Sequence, residues 1–216
     1  MESDADSIES REVVIANCEL GNLGSVANIV KSVGGTPIIS QEADVIANAT
    51  HLILPGVGNF EFGMNQLHDL KLIDALNAAR DNGSQILGIC LGMELMTQWS
   101  EEGECDGLGW FDFKTVRFPN QSVSGQRLPV PHMGWNQVEA SSSAAQFDSV
   151  PTPARFYFVH SYYVDGAGRK GCMATTEYGD TRFASAIGKD NIFGVQFHPE
   201  KSHKFGMALI RNFVKQ

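Results

Sequence analysis

The chain has 216 residues, 43% of them apolar, which suits a single domain with one substantial core. A net charge of −9, from 16 basic and 25 acidic residues, argues against a nucleic-acid binder, which carries a basic balance or stripe. There is no run of about 18 apolar residues, so no membrane span is expected.

The opening MESDADSIES is polar and acidic, without the basic start and apolar centre of a signal peptide. Residues 1–10 are expected to form a disordered tail ahead of one domain over residues 11–216, in a cytoplasmic protein. Val13-Val14-Ile15-Ala16 reads as a strand, followed by the turn Leu20-Gly21-Asn22-Leu23-Gly24. A helix over residues 25–33 is ended by Gly34-Gly35. Strands follow at residues 36–40 and 51–54, the second closed by Pro55-Gly56. Helical periodicity is strongest over residues 70–80 and stops at Asp81-Asn82-Gly83. Ile86-Leu87-Gly88-Ile89 is apolar throughout, as a strand buried on both faces of a parallel sheet should be, and residues 91–98 continue as a helix. Beyond Trp110 the pattern changes to short strands at residues 111–118, 137–139, 155–159, 172–177, 181–187 and 192–195. Polar loops cover residues 120–127 and 140–153, and a closing helix covers 202–214. The expected fold is α/β: a central, mostly parallel sheet with helices on both faces, extended by antiparallel strands in the second half.

Cys18, Cys90, Cys105 and Cys172 are scattered and form no CxxC pair, so neither a metal site nor a disulfide framework is expected. Cys90 stands apart because it sits in Gly88-Ile-Cys-Leu-Gly92, at the corner between an apolar strand and a helix. A nucleophile at such a corner needs neighbours without Cβ atoms, as in the Gly-x-Ser-x-Gly elbow. The N–H groups opening the helix, Leu91 first, are expected to lower the thiol pKa and hold a developing oxyanion. Alone, this pattern fits a buried structural cysteine equally well. Gln196-Phe-His-Pro-Glu200 supplies the partner: in an extended segment His198 and Glu200 point to one side, so the carboxylate can orient the imidazole. Both segments follow strands, at the edge where open α/β sheets bind ligands.

Gly88-Ile-Cys-Leu-Gly-Met and Gly194-Val-Gln-Phe-His-Pro-Glu-Lys-Ser resemble class I (triad) glutamine amidotransferases, which have a flavodoxin-like fold. Pro55-Gly-Val-Gly-Asn-Phe60, Pro131-His-Met-Gly-Trp-Asn136 and Tyr157-Phe-Val-His-Ser-Tyr162 narrow the resemblance to the glutaminase subunits of imidazole glycerol phosphate synthases, in histidine biosynthesis. The resemblance implies a Cys90, His198, Glu200 triad that hydrolyses glutamine to glutamate and ammonia without a cofactor. It implies an oxyanion hole from Val57, Gly58 and Leu91. It implies substrate contacts at Gly56, Glu94, Glu102, His160, Ser161 and Tyr162. His132, Met133, Trp135 and Asn136 match a segment facing the family's synthase (cyclase) subunit, a (β/α)₈ barrel. That partner receives the ammonia and makes imidazole glycerol phosphate and an aminoimidazole carboxamide ribonucleotide.

Two positions depart from the family pattern. Asn17-Cys18-Glu19 stands where Asp-Tyr-Gly is usual, so the first turn has lost a glycine. Glu94 stands where Gln is common; an ionised Glu accepts hydrogen bonds but donates none. The departure implies weakened glutamine binding or a protonated Glu94. Three other readings stay open: a paralogous subunit supplying ammonia for a surface-polysaccharide sugar, a stand-alone γ-glutamyl hydrolase, and a non-catalytic binding subunit.

Overall fold

A computed structural model of the chain describes residues 11–123 and 125–216; the tail expected over residues 1–10 lies outside the described residues. The first half is strand β1 (Glu12–Ala16), helix α1 (Leu23–Ser32), β2 (Thr36–Ser40), α2 (Ala43–Ala47), β3 (His51–Gly56), α3 (Phe60–Asp69), α4 (Ile73–Asp81), β4 (Gln85–Cys90) and α5 (Leu91–Leu95). Next come β5 (Thr97–Ser100), β6 (Cys105–Asp106), β7 (Phe111–Arg117), β8 (His132–Gln137), β9 (Glu139–Ala140), β10 (Arg155–His160) and β11 (Tyr162–Val164). The chain closes with β12 (Cys172–Tyr178), β13 (Thr181–Lys189), β14 (Ile192–Val195) and α6 (His203–Lys215).

Among the described residues the strands form a twelve-stranded sheet and a separate pair, β10 with β8. The large sheet begins in the order β2-β1-β3-β4-β14, all parallel, which is the flavodoxin-like order. From β14 it continues through β13, β11 and β7 by antiparallel pairing. Side-chain alternation sorts the core into two layers. Val13 and Ile15 face α1 and α6 residues such as Val30 and Phe213, while Val14 and Ala16 face Ile46, Leu67 and Leu76 of α2, α3 and α4. All of β3 and β14 is buried, which explains their unbroken apolar runs.

Several expected boundaries move. The helix of 91–98 stops at Leu95: the Met96 carbonyl accepts from the Trp110 and Phe111 N–H groups, Thr97 Oγ1 donates to the Glu94 carbonyl (2.7 Å), and residues 97–100 join the sheet. The periodicity over 70–80 spans a break, because Lys71 takes φ +55° between α3 and α4. The strand expected at 137–139 is split: Gln137 ends β8, which begins at His132, and Glu139 begins the two-residue β9. Helix α2 and strands β5, β6 and β11 have no counterpart in the expectations.

The missing glycine of the first turn leaves a trace. Glu19 adopts φ +58°, a conformation that Gly takes freely and an L residue does not, and is exposed. The turn survives, so Glu19→Gly is expected to stabilise the protein by roughly 1 kcal/mol. A denaturant midpoint for the two chains checks this; an unchanged or lower midpoint contradicts it.

Candidate active site

Cys90 ends β4 and precedes α5 with φ +54° and ψ −112°. An L residue so placed is strained by roughly 1–3 kcal/mol, and close packing enforces it. A Cβ on Gly92 would overlap the Leu54 carbonyl oxygen, and one on Gly88 would lie 2.8 Å from the Gly92 carbonyl oxygen. Both flanking glycines are therefore dictated by backbone contact rather than by turn flexibility.

Strand β14 runs beside β4 with Val195 abreast of Ile89, so the chain leaves both strands at one edge. There the His198 N–H donates to the Tyr157 carbonyl (2.9 Å). Ser202 Oγ donates to the His198 carbonyl (2.6 Å) and accepts from the Tyr157 N–H (3.0 Å). A Cβ on Gly206 of α6 would overlap the Pro199 carbonyl oxygen, so the closing helix is seated directly on this loop. Ser202 and Gly206 brace the loop, and sequence reasoning missed both. The available signal was the serine that closes the His-Pro-Glu-Lys-Ser segment, with a glycine four residues on in the first turn of the expected helix.

His198 Nδ1 lies 2.7 Å from Glu200 Oε1, with the two side chains only 2% and 6% exposed. The carboxylate accepts, so Nδ1 holds the proton. Nε2 is buried without a partner among the described residues, a base with an unused lone pair. The Cys90 thiol pKa is pushed well above its usual range, by burial first and, where Glu94 is ionised, by its charge. The Leu91 N–H and the Gln196 amide favour the thiolate, as expected of Leu91, but burial outweighs them. The expected lowering of the thiol pKa is thus corrected: the resting thiol is protonated and needs a base.

Beside Cys90 is a cavity of about 280 Å³ lined by Val57, Gly58, Leu91, Glu94, Glu102, His160, Ser161 and Tyr162, together with Pro131 and Val159. Gly56 is not in its wall; it lies abreast of Cys90 on β3. Glu102 Oε2 accepts from the Phe60 N–H at the start of α3 (2.7 Å). Among the expected oxyanion donors, the Val57 N–H is already given to the Leu20 carbonyl (2.5 Å), so in this conformation it is not aimed at a substrate.

Behind the cavity, His160 Nδ1 lies 2.7 Å from the Tyr162 carbonyl and must donate to it. His160 Nε2 then accepts from His132 Nδ1 (3.0 Å), and His132 Nε2 from Asn136 Nδ2 (3.3 Å). Burial lowers the pKa of His160 to about 3 and of His132 to about 4, so both rings are neutral. Of the four residues expected to face a partner, His132 is buried within the domain and Asn136 turns inward to the Glu177 carbonyl (2.8 Å). Met133 and Trp135 alternate to the outer face, 63% and 39% exposed.

Imidazole glycerol phosphate synthase subunit HisH 2 of Methanococcus maripaludis is 48% identical, over 94% of this chain and 99% of its own length. The protein of the same name from Pseudomonas aeruginosa is 41% identical over 94% and 98%. A solved glutamine amidotransferase structure superposes with a TM-score of 0.68 at 17% identity, covering 94% of this chain and 97% of its own, and so shares the fold. The family model for class I glutamine amidotransferases matches residues 19–216. The chain accordingly belongs to the class I glutamine amidotransferases and is a glutamine-hydrolysing enzyme.

Proposed function

We propose that this chain is the glutaminase subunit of an imidazole glycerol phosphate synthase, acting in the cytoplasm through Cys90, His198 and Glu200. The observation that carries the mechanism is the unpartnered, buried His198 Nε2 at the same sheet edge as a strained, protonated Cys90. His198 takes the thiol proton as sulfur attacks the side-chain amide carbon of glutamine. Glu200 stabilises the imidazolium. The proton then passes to the leaving nitrogen and ammonia departs, leaving a glutamyl thioester. Water, activated by the same imidazole, releases glutamate.

The Leu91 N–H supports the oxyanion, and residues 56–58 complete the hole once Val57 lets go of Leu20. That bond supports low activity in the isolated chain. Free ammonia in water becomes ammonium, so the product is handed to a (β/α)₈ synthase subunit docked on the face of Met133 and Trp135. There it contributes to imidazole glycerol phosphate and the aminoimidazole carboxamide ribonucleotide. The relatives at 41% and 48% identity support this acceptor. Glu94 favours a second reading, a paralogous subunit feeding an amidated surface sugar.

Glutamate formation, measured with and without the synthase subunit and its ribulosyl nucleotide, tests the proposal. Stimulation by the loaded partner and transfer of labelled amide nitrogen into the imidazole product are expected, with rescue of a histidine auxotroph. Rescue of a sugar-amidating pathway alone moves the acceptor to the second reading. Trp135→Ala is expected to weaken partner binding by about 2 kcal/mol, roughly 30-fold in Kd, as removal of an interfacial aromatic anchor does. Titration of the stimulated activity against partner concentration reads it, and an unshifted curve removes Trp135 from the interface.

A further inference from the structure

Glu94 takes no part in the proton transfers, yet it lines the cavity beside Cys90 and is only 5% exposed. Gln196 Nε2 donates to Glu94 Oε1 at 2.6 Å, and the same amide favours the Cys90 thiolate by a hydrogen bond. One amide thus bridges the acid and the nucleophile. No Lys or Arg lines the cavity, and Glu94 has no salt bridge among the described residues.

The groups facing Glu94 are anionic or neutral on every side. Cys90 faces it from the β4–α5 corner, Gln196 from the end of β14 and Glu102 from the turn after β5. His160 and Tyr162 line the same cavity, and Glu200, paired with His198, acts on Cys90 by its charge. A carboxyl enclosed in this way, with no cation, keeps its proton. A neutral carboxylic acid has one carbonyl acceptor and one O–H donor. The acceptor is occupied by Gln196, and Oε2 has no partner among the described residues.

We propose that Glu94 is a substrate-positioning residue that works as a neutral acid: Gln196 holds one oxygen, and the other donates its proton's hydrogen bond to an oxygen of the bound glutamine. This rests on the glutaminase reading and adds a protonation requirement to it. Burial first, and then the charge of Glu102, raise the Glu94 pKa to about 8, against the lowering effect of Gln196. Above that pH three effects lower kcat/KM, against the one attraction of an ionised Glu94 for the substrate's ammonium. The donor is lost, the substrate carboxylate is repelled, and a new negative charge beside Cys90 disfavours the thiolate. Cys90 ionising by itself acts in the opposite direction, giving a rising limb. His160, held neutral down to about pH 3, contributes nothing there.

The test is the pH profile of kcat/KM for glutamate formation in the complex with the synthase subunit, for wild type, Glu94→Gln and Glu94→Ala. Wild type is expected to lose about tenfold per pH unit above about pH 8, chiefly through KM. E94Q, which keeps a donor and an acceptor but cannot ionise, is expected to lose that limb, and E94A to show a raised KM at every pH. A second readout needs no activity. An acid neutral in the fold but ionised when unfolded stabilises the fold below pH 4.5, and that contribution is lost as pH rises through about 8. The advantage in Tm of E94Q over wild type is therefore expected to widen across this window. The same alkaline fall in E94Q, or a Tm difference independent of pH, overturns the proposal. A complex that hydrolyses no glutamine at any pH, yet shows the widening Tm difference, instead overturns the glutaminase reading.

Discussion

Cys90→Ala is expected to abolish glutamine hydrolysis, lowering kcat by about four to six orders of magnitude with the fold intact. The side chain is small and nearly buried, so its loss removes one sulfur from the cavity edge and little from the core. On the proposed mechanism the loss falls on chemistry, because Cys90, His198 and Glu200 serve one proton transfer. Glu200 holds His198 Nδ1, the loop brace at Ser202 holds the His198 backbone, and Nε2 is left buried with no partner among the described residues. Members of such a unit act together, so adding His198→Asn to Cys90→Ala is expected to cost almost nothing further. Glutamate formation by the purified complex, with circular dichroism as the control for folding, measures it. Residual activity within tenfold of wild type would remove Cys90 from the mechanism.

Gly92→Ala is expected to destabilise the protein by about 3 kcal/mol or more, the upper range for overpacking in a close-packed core. The new methyl would meet a backbone carbonyl oxygen, that of Leu54, which lies inside the parallel half of the sheet and cannot rotate away. Gly194→Ala is the informative contrast. Its added Cβ would approach Met93 Cγ at 2.6 Å and Cβ at 3.0 Å; a change of χ1 moves the first, and no backbone atom is among the near contacts. The expected order of damage in urea denaturation is therefore Gly92 well above Gly194. Equal midpoints for the two variants would mean that α5 shifts as a unit, and that the elbow does not depend on the absence of a Cβ at Gly92.

The parallel half of the fold was legible because β1, β3, β4 and β14 are apolar runs bounded by turns, and burial on both faces leaves no other pattern. Helix α5 was overextended for an instructive reason. Residues 96–98 carry no helix breaker; the sheet takes them through Met96 and Thr97, a tertiary effect invisible in local propensity. Strand β8 was missed before Gln137 because Gly134, at φ +132°, sits in its middle and disguises it as a loop. At the site, the residue types were readable, but their states were not. Cys90 looked like a low-pKa thiol because helix-start N–H groups were in view and burial was not. Val57 looked like a free donor because nothing in the sequence reveals its bond to Leu20. Glu19 and Glu94 were visible as departures. What the fold adds is that one carries backbone strain and the other sits without a cation beside the nucleophile.

Every other role proposed at the site depends on attack by Cys90 on a glutamine side chain. Incubating the complex with the electrophilic analogue 6-diazo-5-oxo-L-norleucine, then mapping the adduct by peptide mass spectrometry, addresses it most directly. One adduct per chain, on the peptide carrying Cys90 and suppressed by excess glutamine, is the expected result. No adduct in the loaded complex, or labelling at Cys18, Cys105 or Cys172 instead, would contradict the account.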